Sequence, residues 1–228
     1  MRVLITGASG GIGSAVAERF LKDGHAVFGI DLKPSVLVHP EYTHFIADIC
    51  RENDLPPIPS PHILFLNAGV QNSADDIDIN LKGTIRAAEH YIRNNDSLLS
   101  VLFNASASAV TGQEFPVYAA SKAGLIGYMR NLAVRLASRK ITCNAISLGG
   151  VFSPINAPVI NNSVLWDRIM AVTPMKKWTE PEEVADWVYF LTVRNHSMSG
   201  ENLLIDNGES RLRSTFVWPD RSDTIQMK

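Results

Sequence analysis

The chain alternates short apolar runs with longer stretches in which apolar residues recur every three or four positions. Six runs rich in Val, Ile, Leu and Phe, with little polar alternation, are typical of parallel strands buried on both faces. They cover residues 3–5, 25–30, 43–47, 63–66, 99–104 and 141–146. Helical spacing is clearest over residues 12–22, 80–92, 118–137 and 181–191. Strands that alternate with helices predict a single-domain α/β fold, a doubly wound parallel sheet with helices on both faces.

Two segments interrupt this alternation. Residues 55–61 contain four prolines and could be a linker between domains, but the strand-like runs that flank them closely favour a surface crossover. Residues 211–228 lose the periodicity and become polar, which predicts a C-terminal tail that is either disordered or docked on a neighbour. We therefore expect one domain over residues 1–210, followed by the tail.

The composition is that of an ordinary globular protein. Of 228 residues, 46% are hydrophobic and 19% charged, which excludes disordered and coiled-coil classes, and the net charge of −2 argues against a general nucleic-acid binder. No apolar run reaches the roughly 18 residues of a membrane span, and the amino terminus enters a glycine-rich turn too early for a signal peptide. We expect a soluble, cytoplasmic protein. Cys50 and Cys143 are too few for a disulfide scaffold or a four-ligand zinc site, so they are predicted to be small buried hydrophobic residues, with no metal bound.

A glycine-rich turn follows the first predicted strand and opens the first helix. Residues 6–13 read Thr-Gly-Ala-Ser-Gly-Gly-Ile-Gly. Glycines let a backbone approach a pyrophosphate, whose charge is met by amide groups and by the positive end of the helix. The position predicts a dinucleotide-binding turn, and the alternative is a structural turn with no ligand.

Asp31 ends the second predicted strand, 18 residues after Gly13. A carboxylate there can accept hydrogen bonds from both hydroxyls of an adenosine ribose, whereas a 2′-phosphate would bring two negative charges together. This favours NAD over NADP, although Lys33 could weaken the discrimination. The alternative is a solvated strand end.

Tyr118 and Lys122 are four positions apart on a predicted helix, which places both side chains on one face, one turn apart. A phenol with a pKa of about 10 is a poor general base at neutral pH, but a nearby ammonium and an oxidised nicotinamide would favour the phenolate. Tyr118 could then exchange a proton with a substrate hydroxyl or carbonyl. Taken alone, the pair is more often a half-buried tyrosine beside a surface lysine.

These motifs together resemble the short-chain dehydrogenase/reductase family, over roughly residues 1–208. The spacing Gly7-x-x-x-Gly11-x-Gly13 is similar to the family's own glycine spacing. Further motifs follow in the family's order at residues 67–69 (Asn-Ala-Gly), 80 (Asn), 106 (Ser), 118–122 (Tyr-Ala-Ala-Ser-Lys), 144–154 and 205–208.

The chain also departs from the family's pattern. Leu148 stands where the family usually has proline and Asn207 where it has glycine, and neither change removes a reacting group. The connections from Asp48 to Asn67 and from Asn67 to Asn80 are shorter than the family leads us to expect. A shorter helix before Asn80 could displace that residue.

The resemblance implies a Rossmann-like fold and an NAD-dependent oxidoreductase that interconverts a secondary alcohol and a ketone by hydride transfer. It implies Tyr118 as general acid/base, Lys122 as a ligand of the nicotinamide ribose, and Asn80 as part of a water chain that supplies protons to Lys122. Of two nearby hydroxyls, we choose Ser106 over Ser108 to hydrogen-bond the substrate oxygen, because its spacing from Tyr118 is closer to the family's. The implied cofactor-binding residues are Gly7, Ser9, Gly11, Ile12, Gly13, Asp31, Asp48, Ile49, Asn67, Ala68, Gly69, Tyr118, Lys122, Val151 and Ser153.

The substrate loop is predicted over residues 153–175, which carry many apolar side chains. Such a lid suits a hydrophobic or alicyclic alcohol, but the same side chains could instead be the packing faces of helices. Glu114, Gln71 and Asn72 could provide polar contacts to this small-molecule substrate.

The resemblance also implies a homodimer or homotetramer in which helices 80–92 and 118–137 pair across a two-fold axis. Two other functions stay open. One is an NAD-binding regulatory or sensing protein, which would not need Ser106, Tyr118 and Lys122. The other is an epimerase or dehydratase that uses the same tyrosine.

Overall fold

A seven-stranded parallel sheet forms the centre of the protein in the computed structural model, which describes residues 1–212. The strand order is β3-β2-β1-β4-β5-β6-β7, and each neighbouring pair is parallel. The chain builds one half of the sheet outward from β1 and then returns to build the other half from β4, so the predicted doubly wound fold is confirmed. The strands are β1 Arg2–Thr6, β2 Ala26–Asp31, β3 Tyr42–Ile46, β4 Ile63–Leu66, β5 Ser100–Asn104, β6 Thr142–Leu148 and β7 Asn202–Ile205.

Helices cover both faces of this sheet. One core layer contains buried side chains of α1 and α7, and the other contains those of α2 and α4. A π-helical turn, Ile77–Gly83, leads directly into α2, and another, Phe190–Arg194, follows α7. The helices are α1 Gly11–Lys22, α2 Thr84–Ile92, α3 Ser108–Thr111, α4 Pro116–Ala137, α5 Ala157–Ile160, α6 Ser163–Val172 and α7 Pro181–Tyr189, with 3₁₀ turns at Glu52–Asp54 and Pro154–Asn156.

The central strands are rich in apolar residues because both of their faces are covered. In β1, Val3 and Ile5 pack in the layer of α1 and α7, whereas Leu4 packs in the layer of α2 and α4. Every residue of β4, β5 and β6 is buried. This two-sided burial explains why the sequence shows runs rather than the alternation of a half-exposed sheet.

The observed elements differ from the sequence prediction at several boundaries. The pattern missed β7, whose four residues are all only partly buried at the edge of the sheet. The helix predicted from residue 80 starts three residues earlier, in the π-helical turn. The helix predicted from residue 118 starts at Pro116, where proline fits the first helical turn because its missing N–H would have no intrahelical partner there.

The Pro-rich segment 55–61 is a crossover between β3 and β4, which belong to the same sheet. Arg2 Nε fixes it by donating to the carbonyl oxygens of Pro59 and Ser60, at 3.1 and 3.0 Å. The predicted tail lies outside the described residues except for its first two positions. Within residues 1–212, no helix combines the length and the apolar character that crossing a membrane would require.

The two cysteines differ in burial. Cys143 is fully buried in β6, as predicted. Cys50 is only partly buried, so its prediction was wrong. It lies in the loop after β3, where its Sγ is 3.6 Å from the Asp78 carbonyl oxygen.

Candidate active site

The glycine-rich turn joins β1 to α1 next to the carboxyl end of β4. Gly7 has a φ of +69°, and a Cβ on it would lie 2.8 Å from the Cα of Ala68. A Cβ on Gly13 would collide with the carbonyl oxygen of Gly7. The turn therefore requires glycine at both positions for its own packing. A Cβ on Gly11 would meet no neighbour closer than 3.5 Å, so packing does not require glycine there.

The first turn of α1 leaves its amide groups free of side-chain acceptors within the described part of the chain. The helix starts after Gly10, which has no capping side chain, and its first turn contains no acidic residue. The positive end of a helix dipole and its unpaired N–H groups together form a site for an anion such as a diphosphate. This donor set fits a dinucleotide cofactor, and the partly buried Ile12 lies within it.

The Asp31 carboxylate ties the end of β2 to the glycine-rich turn. It accepts hydrogen bonds from the backbone N–H groups of Ser9 and Lys33, both at 3.0 Å. Ser9 Oγ in turn donates to the Lys33 carbonyl oxygen. The side chain of Asp31 is thus oriented by the turn and stays partly exposed at the sheet edge where a ribose would lie.

A group of amides and hydroxyls binds together the carboxyl ends of β1, β4 and β5. Thr6 Oγ1 accepts from the backbone N–H groups of Asn67 and Ala68, at 3.0 and 3.1 Å. Asn67 Nδ2 donates to the carbonyl oxygens of Thr6 and Gly7, while its Oδ1 accepts from Asn104 Nδ2 at 2.8 Å. The Asn-Ala-Gly motif therefore holds the glycine-rich turn in place.

Tyr118 and Lys122 lie on the same face of α4, as their spacing predicts. Lys122 is 4% exposed, and its Nζ donates to the carbonyl oxygen of Asn104 at 2.8 Å. The same Nζ lies 5.9 Å from the centre of the Tyr118 ring. The lysine is thus a buried residue fixed at the end of β5, not the surface lysine of the alternative interpretation.

Burial dominates the electrostatics of this pair. It lowers the pKa of Lys122 to about 8, against an opposing effect of Asp76. Burial also raises the pKa of Tyr118, the Ser106 hydroxyl lowers it, and the charges of Glu114 and Asp76 add to the rise. The chain by itself therefore does not produce the lowered phenol pKa expected from the sequence. An additional positive charge beside the phenol would be needed to lower its pKa.

Ser106 and Ser108 form a hydrogen-bonded series that ends on a carboxylate. Ser106 Oγ donates to Ser108 Oγ at 3.2 Å, and Ser108 Oγ donates to Glu114 Oε2 at 2.6 Å. Both serines are buried, but only the Ser106 hydroxyl acts on the pKa of Tyr118. Of the two serine hydroxyls, that of Ser106 is therefore the one that acts on the Tyr118 phenol. Glu114 holds a φ of +68°, which is uncommon for a residue with a side chain.

Asn80 is fully buried in the π-helical turn despite the short connection before it. Its Oδ1 accepts from the Val70 N–H at 2.8 Å, and its Nδ2 donates to the Val70 carbonyl oxygen and to Ser121 Oγ. A Cβ on Gly69 would lie 2.8 Å from Asn80 Oδ1 and 3.3 Å from Lys122 Nζ. Asn80 is thus next to Lys122, with its amide committed to holding the loop after β4.

The remaining predicted cofactor residues lie on the loops that follow β3 and β6. Asp48 Oδ1 accepts from the Cys50 N–H and shapes the loop after β3, and the side chain of Ile49 is buried in the core. Val151 is buried and pairs with Thr179. The Cβ of Ser153 would be 3.6 Å from a Cβ on Gly11, so the loop after β6 faces the glycine-rich turn.

The predicted substrate loop is mostly helical, comprising a 3₁₀ turn, α5 and α6. Phe152, Trp166 and Trp178 form an aromatic cluster with ring centres 5.2–6.1 Å apart, so α6 packs through Trp166 on residues that flank the segment. Ile155, Val164 and Met175 remain more than half exposed, as a lid would. Each of the two interpretations from the sequence thus describes part of the segment. Across residues 1–212 no three His, Cys, Asp or Glu side chains are grouped to hold a metal ion.

Sequence reasoning missed three residues of this site. Thr6 and Asn104 hold the strand ends together, and Asn104 also binds Lys122. The sequence could have indicated both, since each is a polar residue at the carboxyl end of a predicted apolar run. Asp76 is 1% exposed although it stands between residues that read as a polar loop. Nothing in its local pattern distinguishes it from the exposed Asp75 and Asp78.

Comparisons with known proteins agree with this geometry. The family model of enoyl-(acyl carrier protein) reductase matches residues 60–210. Glucose 1-dehydrogenase of Gluconobacter oxydans is 28% identical over 244 aligned residues, which cover 91% of this chain and 91% of that protein. The 3-oxoacyl-(acyl-carrier-protein) reductase of Rickettsia bellii is 31% identical over 242 residues, covering 90% and 95%.

A solved structure shows the same fold. A 4-hydroxyisoleucine dehydrogenase complexed with NADH superposes with a TM-score of 0.84 at 22% identity, over 93% of this chain and 99% of that one. The sequence matches span most of both partners, and the motifs occur in the expected order on the expected strands. This chain therefore belongs to the short-chain dehydrogenase/reductase family of oxidoreductases.

Proposed function

We propose that the protein is an NAD-dependent oxidoreductase that interconverts a secondary alcohol and a ketone. The observation that carries this proposal is the buried Lys122, fixed on Asn104 one helical turn from Tyr118, with the Ser106 hydroxyl acting on the same phenol. Hydride transfer at a C–OH carbon needs three groups from the protein: one that exchanges a proton, a fixed positive charge, and a donor to the substrate oxygen.

In this proposal the cofactor would lie along the carboxyl ends of β1, β2 and β4. The amide groups at the start of α1 would hold the diphosphate, and Asp31 would accept the hydroxyls of the adenosine ribose. A bound nicotinamide supplies the hydride acceptor in alcohol oxidation and the donor in ketone reduction. Val151 and Ser153, on the loop that faces the glycine-rich turn, would contact its carboxamide.

The chain's own residues would handle the proton and the substrate oxygen. Tyr118 takes the hydroxyl proton in the oxidative direction and returns it in the reductive direction. Ser106 donates to the substrate oxygen and stabilises the charge that develops there. Lys122 binds the nicotinamide ribose and favours the phenolate by its charge.

The direct test is a screen of alcohols and ketones that follows NADH absorbance. Oxidation of an alcohol or reduction of a ketone supports the proposal. Isomerised or dehydrated product with no net change in NADH would indicate an epimerase or dehydratase, and tight NAD binding without any turnover would indicate a sensing protein.

We expect Asp31→Asn to relax the preference for NAD. The amide keeps an oxygen for the Ser9 N–H but removes the charge that opposes a 2′-phosphate. The ratio of kcat/KM with NADP to kcat/KM with NAD should rise about tenfold. This change corresponds to about 1.4 kcal/mol. Asp54→Asn, at a partly exposed carboxylate in the 3₁₀ turn after β3, is the control and should leave this ratio unchanged. An unchanged ratio in Asp31→Asn would remove Asp31 from its proposed role.

We expect Ser106→Ala and Ser108→Ala to differ. Loss of a donor to the developing charge should lower kcat by about 10²- to 10³-fold in Ser106→Ala. Ser108→Ala removes a hydroxyl whose own donor hydrogen bond goes to Glu114, so its kcat should fall by less than about tenfold. Steady-state kinetics on one substrate ranks the two, and the reverse order would assign the role to Ser108.

A further inference from the structure

Asp76 is a buried carboxylate that the proposed mechanism does not use. It directly precedes the π-helical turn and is 1% exposed, and its Oδ1 finds no hydrogen-bond partner within residues 1–212. A carboxylate buried without full hydrogen bonding is costly unless an opposite charge lies close by. Such a group calls for a compensating cation.

The buried cation on which the charge of Asp76 acts is Lys122. Its ammonium is buried and makes one hydrogen bond, to the Asn104 carbonyl oxygen, within the described chain. The charge of Asp76 acts on the pKa of Lys122, raising it, and on that of Tyr118, also raising it. Asp76 is thus electrostatically coupled to both members of the reacting pair, in surroundings where little water screens the interaction.

The loop after β4 explains how the carboxylate reaches this position. The Val70 backbone is bonded on both sides by the Asn80 amide, which fixes the π-helical turn against α4. Asp76 directly precedes this turn and is buried, as is Asn80 within it. On either side of Asp76 in the sequence, Asp75 and Asp78 are exposed, and Asp78 is paired with Lys82 at 2.6 Å.

We propose that Asp76 is a positioning residue, the counter-charge that keeps Lys122 an ammonium at working pH and so sets the pH range in which Tyr118 exchanges its proton. Burial alone drives Lys122 toward the neutral amine, which could not favour the phenolate. The other charge that faces Tyr118 is Glu114, from the loop before α4, and it does not act on Lys122. The inference deepens the proposed function and rests on it.

The kinetic test is the pH profile of kcat/KM for alcohol oxidation in Asp76→Asn. Without the negative charge, the pKa of Tyr118 and the pKa of Lys122 both fall, so the acid and alkaline limbs both move to lower pH. The ratio of kcat/KM at about pH 9 to that at about pH 7 should fall about five- to tenfold relative to the unsubstituted protein. Asp78→Asn, two residues away and exposed, is the matched control and should keep the original profile.

A purely structural role for Asp76 would lower activity without moving either limb, and that result would overturn the proposal. Asp76→Ser, which also removes the charge, replaces Asp76→Asn if the latter does not fold, and the same displacement is expected of it.

A second measurement does not depend on turnover. In a double-mutant cycle of Asp76→Asn and Lys122→Met, the unfolding free energies should be non-additive at neutral pH and additive at alkaline pH, where Lys122 is neutral. Non-additive unfolding free energies without alcohol or ketone turnover would support the interaction of Asp76 with Lys122 and reject the proposed reaction. Additivity at all pH values would reject the pair even if the enzyme is active.

Discussion

Replacing Tyr118 by Phe should lower kcat for alcohol oxidation by about 10²- to 10⁴-fold, the usual contribution of a positioned general acid/base. The phenyl ring keeps the packing of the partly buried side chain and removes only the hydroxyl that would exchange the proton. Most residues that would hold the dinucleotide lie elsewhere, at the carboxyl ends of β1, β2 and β4 and on the loop after β6, so the dissociation constant of NADH should change by less than about threefold. Steady-state kinetics measures kcat, and a fluorescence titration with NADH measures the dissociation constant.

Tyr128→Phe is a matched control on the same helix. Tyr128 lies ten positions further along α4 and donates to Glu89 at 2.8 Å, away from Lys122 and Ser106. Removing its hydroxyl should leave kcat within about threefold of the unsubstituted value, because only a hydrogen bond remote from the reacting atoms is lost. Equal losses in both variants, or an unchanged kcat in Tyr118→Phe, would show that the Tyr118 hydroxyl takes no part in the chemistry.

The fold was largely predictable from the sequence because strands that are buried on both faces consist mainly of apolar residues. β4, β5 and β6 are buried at every position, and each appears in the sequence as a run rich in apolar residues. β7 was missed for the opposite reason: it is a four-residue edge strand, and its partial burial gives it no distinctive run. The start of α2 was missed because the π-helical turn breaks the 3.6-residue period on which the prediction relied.

The site was predictable where chemistry depends on a fixed spacing and not where it depends on tertiary contact. The separation of Tyr118 and Lys122 is a property of one helix, so the sequence alone places them on one face. The bond from Lys122 to the Asn104 carbonyl oxygen joins a helix to a strand end, and the burial of Asp76 depends on how the loop after β4 closes. The pKa of Tyr118 could not be predicted either, since its direction is decided by the depth at which the phenol is buried.

Introduced into a chain that already carries Asp76→Asn, so that no buried carboxylate loses its counter-charge, Lys122→Met should abolish most of the remaining activity while making the protein more stable at neutral pH. The pKa of Lys122 is about 8 in the folded protein against 10.5 for the free side chain, so holding the ammonium inside costs about 3 kcal/mol below pH 8. Methionine has a similar length and carries no charge, but it loses the hydrogen bond to Asn104, which offsets about 1 kcal/mol of the gain. The net increase in unfolding free energy at pH 7 should be about 1–2 kcal/mol.

The pH dependence of that increase identifies its cause. The folded-state pKa lies below the unfolded-state value, so the unfolded chain binds the extra proton between about pH 8 and pH 10.5, and the stability of the unsubstituted protein rises with pH across that window. The advantage of Lys122→Met should therefore be constant below pH 8 and disappear toward pH 10.5, as measured by urea denaturation.

Lys82→Met, at an exposed lysine paired with Asp78, should change stability by no more than about 0.5 kcal/mol at any of these pH values. A stability difference for Lys122→Met that did not vary with pH would mean that packing, and not the buried charge, decides it. The combination of lost activity and gained stability would show that the fold carries a buried ammonium at a cost, because the reaction needs it there.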